Sequence, residues 1–151
     1  MRRTVTFLIL VVIIAATYFL IDQKYPFSGG RESEYYLARI GTRNFKLEIA
    51  DTEEKQIRGL SGRDSLPENQ GMIFLFDKPA SYGMVMDGMK FPLDFIWLRG
   101  KSVVDIRLDV HLDECLYPRP CYPQSEADIV IELNAGMVAR IGVKIGDYLS
   151  W

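Results

Sequence analysis

The stretch that decides the fold is FPLDFIWL, Phe91–Leu98, an apolar run that contains one carboxylate. A continuous apolar run of this length is typical of a strand that is covered on both faces. Asp94 stands inside the run, and a buried carboxylate must be paired, hydrogen-bonded or protonated. Asp94 is therefore either a structural residue bonded to Arg63 or to backbone amides, or a polar group at a ligand-binding or catalytic cleft.

Further strands are predicted on both sides of this run. The segments are FKLEIA (45–50), MIFLF (72–76), SVVDIRLDV (102–110), DIVIEL (128–133) and, as a final edge strand, DYLSW (147–151). Period-2 alternation places Val104, Ile106 and Leu108 of SVVDIRLDV on one face of their strand. In DIVIEL the same alternation places Ile131 and Leu133 on the buried face. Seven or eight short strands are expected.

Two short helices interrupt the predicted strands. DTEEKQIRG has Asp51 as its cap and ends at Gly59, and NAGMVARIG has Asn134 as its cap and ends at Gly142. Because neither helix is long enough to form a core, the pattern favours a mainly β domain, either a β-sandwich or a partly closed barrel.

The N-terminal segment predicts a membrane anchor. Thr4–Ile21 holds 18 residues without a charge, and a helix of that length spans about 27 Å, close to the bilayer core. The apolar core is longer than that of a signal peptide, although a cleaved signal remains the alternative. Arg2 and Arg3 place the N-terminus in the cytoplasm. The expected organisation is a single-pass anchor at 1–21, a flexible linker at 22–34 and an extracytoplasmic β domain at 35–151.

Both cysteines lie in one loop, CLYPRPC, where Cys115 and Cys121 are separated by five residues. This spacing does not fit a thioredoxin-like redox motif. Outside the cytoplasm a structural disulfide is favoured, while free thiols and a metal site with His111 and Asp113 remain alternatives.

A series of motifs runs along the chain; in order they are Gly59-Leu60-x-Gly62-Arg63, Gly71-Met72, Met86, Pro92-Leu93-Asp94, Cys121-Tyr122-Pro123, Glu132-Leu133, Gly136 and Gly146-Asp147. Taken together, these motifs resemble the family known as domain of unknown function 192. The resemblance implies a compact, jelly-roll-like β fold, and it carries over no activity and no catalytic residue. Asp87-Gly88-Met89 departs from the polar Lys-Asn-Thr that family members usually show after the methionine, so a site built on that trio is altered here.

No catalytic constellation is evident, so the leading hypothesis is a non-enzymatic binding or accessory module of the cell envelope. Its ligand groove is expected to include Arg63, Met86, Asp94 and Tyr122, residues that match the family motifs. The net charge of −2 and the absence of a basic stripe argue against a nucleic-acid partner. We expect the membrane and an envelope ligand or protein as partners, without a cofactor or a resident metal.

Two alternatives belong to other functional classes. A small hydrolase-like enzyme would use Asp94 as general base while Arg63 holds the substrate. A copper-handling protein would use the soft sulfur atoms of Met84, Met86 and Met89, together with His111.

Overall fold

A mixed six-stranded β-sheet forms the centre of the computed structural model, which describes residues 35–150. In chain order the elements are β1 Tyr35–Ile40, β2 Arg43–Ala50, α1 Glu53–Arg58, β3 Gln70–Ala80, β4 Leu93–Arg99, β5 Ser102–Val110, β6 Ala127–Asn134 and α2 Met137–Ile141. The strand order is β1-β2-β3-β6-β4-β5, and every neighbouring pair is antiparallel except β2 and β3. The prediction of a mainly β domain with two short helices is confirmed.

Strand β6 lies in the middle of the sheet, and both of its faces are buried. Ile131 and Leu133 join one apolar cluster, whereas Val130 joins a second cluster. Because side chains alternate along a strand, Glu132 shares the face of Val130. A polar residue near the centre of β6 is therefore removed from water whichever face it occupies.

The two apolar clusters cover opposite faces of the sheet. The first face packs against α2, whose residues Met137, Val138 and Ile141 are buried. The second face is covered by three connections, 59–69, 81–92 and 111–126, rather than by a second sheet. These connections supply the buried residues Leu60, Leu66, Met84, Met86, Cys115 and Cys121. The described chain thus forms one sheet and not the two facing sheets of a sandwich.

The C-terminal segment 147–150 contacts both edges of the sheet without closing it. Arg39 of β1 pairs with Ser150, and Ser102 of β5 pairs with Tyr148, each as an isolated antiparallel bridge. These bridges cover parts of two edge strands that would otherwise expose unpaired backbone groups. Six strands form where seven or eight were expected, and the predicted last strand is reduced to these bridges.

The starts of both helices differ from the predicted ones. Thr52, and not Asp51, caps α1 with its side-chain hydroxyl. Asn134, the other predicted cap, is the last residue of β6, and Gly136 directly precedes α2 with a positive φ of 76°. Both helices end at a glycine, as predicted.

The side-chain alternation predicted for β5 is wrong, because the pairing of β4 with β5 contains two irregularities. Val104 packs against the cluster on the second face, whereas Ile106 packs against the first, and Leu108 is 51% exposed. A β-bulge inserts one extra residue, and the side chains beyond it change faces. Near the other irregularity Asp109 adopts a positive φ of 50°.

Asp94 lies on the first face of β4, opposite Leu133, and is fully buried. Its Oδ1 accepts a hydrogen bond from the Asp109 N–H at 2.8 Å, and its Oδ2 accepts one from the Val138 N–H at 2.8 Å. Backbone amides therefore supply the partners that a buried carboxylate requires. Through these two bonds Asp94 holds the end of β5 and the first turn of α2 against β4.

The predicted membrane anchor at 1–21 and linker at 22–34 lie outside the described residues. Within residues 35–150, no helix is long and apolar enough to cross a membrane.

We predict that Asp94→Ala lowers the free energy of unfolding by roughly 2–6 kcal/mol, because it leaves one buried and one part-buried N–H group without an acceptor. Asp94→Asn keeps one acceptor oxygen and should lose less. Chemical denaturation of the full chain measures both changes. Asp113→Ala, at an exposed loop position, is the control. A loss of less than about 1 kcal/mol for Asp94→Ala would contradict this role.

Candidate functional site

Glu132 lies in a row of residues that crosses the second face of the sheet. The strand registers place Glu48, Met72, Glu132 and Phe95 side by side on β2, β3, β6 and β4. The residue is 3% exposed, and its Oε2 has no hydrogen-bond partner among the described residues. Its cross-strand neighbours, Met72 and Phe95, are apolar. Glu132 is therefore a deeply buried carboxyl group with an unused oxygen.

A pocket of about 350 Å³ opens on the second face and includes Glu132 in its lining; we call it the Glu132 pocket. Phe74 and Phe76 of β3 form the apolar part of its floor. Ile57 of α1, which is 76% exposed, and Val85 stand on its two walls. This volume falls within the range of small-molecule sites, which are mostly apolar with a few convergent polar groups.

The first wall of the pocket consists of α1 and the turn at 59–61. The Gln56 side chain fastens α1 to the sheet by donating to the carbonyl oxygens of Ala50 at 3.3 Å and Leu75 at 2.7 Å. Ser61 Oγ donates to the Asp87 carbonyl oxygen at 2.7 Å and so joins this wall to the opposite one. The short helix is thereby held in place although none of its own residues is buried.

The second wall is the segment 82–89, which follows the end of β3. Tyr82 stacks on Phe76 with ring centroids 3.6 Å apart and ring planes 8° from parallel. Trp97 Nε1 donates to the Tyr82 carbonyl oxygen at 3.0 Å, which fixes the start of this wall to β4.

The cysteine loop supports the second wall from behind. Met84 and Cys121 exchange two backbone hydrogen bonds of 2.9 Å, and the Met86 N–H donates to the Cys115 carbonyl oxygen at 3.1 Å. A disulfide joins Cys115 and Cys121, as predicted. Both ends of the loop are thus bonded to the strand-like segment that lines the pocket.

Burial controls the electrostatics of Glu132. Loss of hydration raises the pKa of its carboxyl group to about 8, and the positive charge of Arg63 lowers it only in part. Arg63 is itself engaged, because its Nη2 donates to Glu48 Oε2 at 2.8 Å. At neutral pH the Glu132 carboxyl is consequently mostly protonated, and it can donate one hydrogen bond as well as accept others.

The four residues of the predicted groove do not form one site. Arg63 lies near Glu132 on the second face, and Met86 is 1% exposed within the apolar cluster there. Tyr122 packs outside the second wall, so close to Gly83 that a Cβ on that glycine would lie 2.7 Å from the tyrosine ring. Asp94 is on the opposite face of the sheet. The structure therefore does not bring Arg63 and Asp94 together.

The three methionines proposed to bind copper lie together, but His111 lies apart from them. Met84 and Met86 are buried in the apolar cluster of the second face, Met89 is half-buried against it, and Met84 and Met89 line the Glu132 pocket. His111 is exposed, with Nε2 3.5 Å from the Asp109 carboxylate. Between residues 35 and 150, no group of three or more His, Cys, Asp or Glu side chains is arranged to hold a metal ion.

Glu132 is not among the site residues that the sequence predicts. Alternation in DIVIEL predicts that Glu132 points to the face opposite to that of Ile131 and Leu133. That face is polar and exposed to solvent in a sheet that buries only one side. The sequence feature that could have identified Glu132 is its place in the Glu132-Leu133 motif, because Asp94 is selected as a candidate site residue from a motif of the same kind.

We predict that Glu132 makes stability fall as pH rises from about 5 to 8. Its pKa is about 8 in the folded chain against an ordinary value of 4.5, so in this window the folded state binds the extra proton. The free energy of unfolding should therefore decrease by up to about 1.4 kcal/mol per pH unit from this group. The contribution vanishes below pH 4.5 and is constant above pH 8.

Denaturation of wild type and Glu132→Gln across pH 5–8 measures this effect. Glutamine does not titrate, so the variant should show a shallower decrease in stability. Glu126→Gln, which removes an exposed carboxylate, should keep the wild-type profile. Equal slopes for wild type and Glu132→Gln would mean that the buried carboxyl does not titrate in this window.

Comparisons with known proteins show the family to which the chain belongs. Residues 36–151 match the DUF192 family, described as "Uncharacterized ACR". A solved structure of a protein of unknown function from Novosphingobium aromaticivorans is 30% identical, with a TM-score of 0.70 over 84% of this chain and 90% of that one. A putative transcription regulator from Sinorhizobium meliloti, 24% identical, shares the fold with a TM-score of 0.70 over 80% of this chain and 97% of its own. No curated protein is significantly similar to the chain. Since the family match spans most of the chain, the protein belongs to the DUF192 family.

Proposed function

We propose that the β domain is a non-enzymatic binding module and that the Glu132 pocket holds a small, mainly apolar ligand. The observation that carries the proposal is the unpartnered oxygen of Glu132 in the lining of an apolar pocket. A buried polar atom without a partner destabilises a fold by about 1–3 kcal/mol. Such a defect is understandable where a ligand supplies the missing hydrogen bond.

The form of the pocket supports binding rather than a structural void. Its aromatic floor, Phe74 and Phe76, and the side chain of Met84 offer contact surface for an apolar body. The mouth carries the exposed apolar side chain of Ile57, which a ligand would shield from water. A few polar groups among apolar ones fix the orientation of a ligand in small-molecule sites, and Glu132 is the buried one among the polar side chains of this lining.

The hydrolase alternative receives no support from the positions of its residues. Both Asp94 oxygens accept backbone hydrogen bonds, and the carboxylate is fully enclosed. A general base must reach a substrate proton at hydrogen-bonding distance. Arg63, on the other face of the sheet, is bonded to Glu48.

The copper alternative is also weaker than the binding proposal. Met86 is almost fully enclosed among apolar side chains, the ordinary setting of a methionine that fills a core. His111 is not part of the pocket lining.

The proposal places the domain on the extracytoplasmic side of the cell membrane, held by an uncleaved N-terminal helix at 1–21. Support comes from the uncharged run Thr4–Ile21 behind Arg2 and Arg3, and from the disulfide between Cys115 and Cys121, which persists in an oxidising compartment. The partners would be the membrane and an envelope ligand, and not a nucleic acid.

We predict that Ile57→Asp weakens binding of neutral aromatic probes such as toluene and indole at least several-fold. A carboxylate at the mouth of the pocket would have to be desolvated when an apolar probe binds. Ile57 is 76% exposed, so the fold should tolerate the change. Leu37→Asp, at a β1 residue that is 79% exposed and outside the pocket lining, is the matched control.

Thermal-shift and ligand-observed NMR measurements on the full-length chain in lipid nanodiscs test this prediction, with empty nanodiscs as the blank. A bound probe raises the melting temperature by mass action. Wild type and Leu37→Asp should respond to the probes, and Ile57→Asp should respond less. Absence of any response in wild type, or equal responses in all three proteins, would contradict the assigned pocket.

We predict that the native chain requires detergent for its release from membranes and that its cysteines react with maleimide only after reduction. The physical reasons are the uncharged N-terminal run and the disulfide. Fractionation and thiol labelling of unreduced and reduced samples measure both properties, with Cys115→Ser/Cys121→Ser as the labelling control. Labelling without reduction, or release without detergent, would contradict the proposed location.

A further inference from the structure

We infer that the ligand of the Glu132 pocket presents an uncharged hydrogen-bond acceptor, such as a ketone, amide or ether oxygen, to the Glu132 carboxyl group. This inference rests on the function proposed above and specifies the chemical class of the ligand. Its basis is the Glu132 carboxyl group, which lines the pocket, is 3% exposed and has no partner for Oε2 within residues 35–150.

The surroundings of the carboxyl group disfavour a charged ligand. Glu132 lies between Met72 and Phe95 in the sheet, and neither side chain can hydrogen-bond to an ion strongly. A cation would have to shed its water and also ionise Glu132, and both steps are costly in an apolar site. A neutral ligand requires neither step, and its apolar body suits Phe74 and Phe76 on the floor.

Charged and titratable groups of both signs surround Glu132. They are Arg63 of the connection 59–69, Glu48 of β2, Glu53 and Arg58 of α1, and Tyr82 of the second wall. Arg63 is the group whose charge reaches Glu132 most strongly, and its positive sign opposes the entry of a second cation. Glu48 engages that guanidinium at 2.8 Å, so Arg63 does not convert Glu132 into a carboxylate.

The protonation state of Glu132 favours a ligand that carries a hydrogen-bond acceptor. Burial keeps the pKa of Glu132 near 8, so at neutral pH the group carries a proton that needs an acceptor. No described residue accepts it at Oε2. A carbonyl or ether oxygen on the ligand would complete this hydrogen bond, whereas a purely apolar ligand would leave it unmade.

Three probes of similar shape test the inference on the full-length chain in nanodiscs: toluene without a polar group, acetophenone with an acceptor, and benzylammonium with a charge. At pH 6.5 acetophenone should bind about tenfold more tightly than toluene, the value of one hydrogen bond in an enclosed site. Benzylammonium should bind more weakly than either. Because only the protonated form donates this bond, acetophenone should bind about fivefold more weakly at pH 9 than at pH 7.

Two variants assign the effect to Glu132. Glu132→Gln keeps an N–H donor, so it should still prefer acetophenone, but its binding should not depend on pH. Glu132→Leu has no donor and suits its apolar neighbours, so it should fold and bind toluene and acetophenone equally. The melting temperature of each variant verifies that it is folded.

The possible outcomes separate the two proposals. If toluene binds wild type as tightly as acetophenone does, or if benzylammonium binds most tightly, the pocket stands as a site but the inferred ligand class is overturned. If none of the probes binds wild type, the proposed function fails and the inference fails with it. The acceptor preference in wild type, its loss in Glu132→Leu and its pH independence in Glu132→Gln together establish the inference.

Discussion

Burial of strand β6 on both faces is the constraint on which the rest of the structure depends. The sheet places β6 between β3 and β4, so every polar side chain near its centre must find a partner inside the protein. Within residues 35–150 the buried charged residues are Asp94 and Glu132, and they lie on opposite faces. Asp94 uses both oxygens to hold the backbone of β5 and α2. Glu132 keeps one oxygen unused beside a pocket, so the first carboxyl is structural and the second is the functional candidate.

The pocket exists because connections, and not a second sheet, cover the second face. Two facing sheets would interdigitate their side chains and fill the space above Glu132. Here the walls come from α1 and from the segment 82–89, and the two are joined by the bond from Ser61 to Asp87. The Cys115–Cys121 loop supports the second wall, 82–89, through backbone hydrogen bonds. An intact disulfide and an intact pocket are thereby linked, because the disulfide closes the loop that backs this wall.

The sequence predicts this fold up to the points where three-dimensional contacts take over from local pattern. β4 lies beside β6 at the centre of the sheet, and a strand covered on both faces carries a continuous apolar run. FPLDFIWL could therefore be identified as a buried strand, and Asp94 had to be buried with it. Backbone amides were among its predicted partners, but the two amides could not be identified, because the N–H groups of Asp109 and Val138 approach Asp94 only through a bulge and the start of a helix. The period-2 pattern fails in β5 for the same reason. Glu132 was missed because alternation within a strand does not reveal that loops cover its other face.

Arg63 illustrates why a pair inferred from motif residues need not be the pair that forms. Arg63 and backbone amides were the two predicted partners of Asp94, and the amides are the ones that bind it. Arg63 lies on the second face, where Glu48 and Glu132 share one row of the sheet. A guanidinium that contacted only Glu132 would favour the ionised carboxylate and convert the site into a buried ion pair. Glu48 is nearer the rim and more exposed, and it takes the guanidinium at 2.8 Å. Burial therefore outweighs the charge of Arg63 at Glu132, and the central carboxyl group keeps its proton.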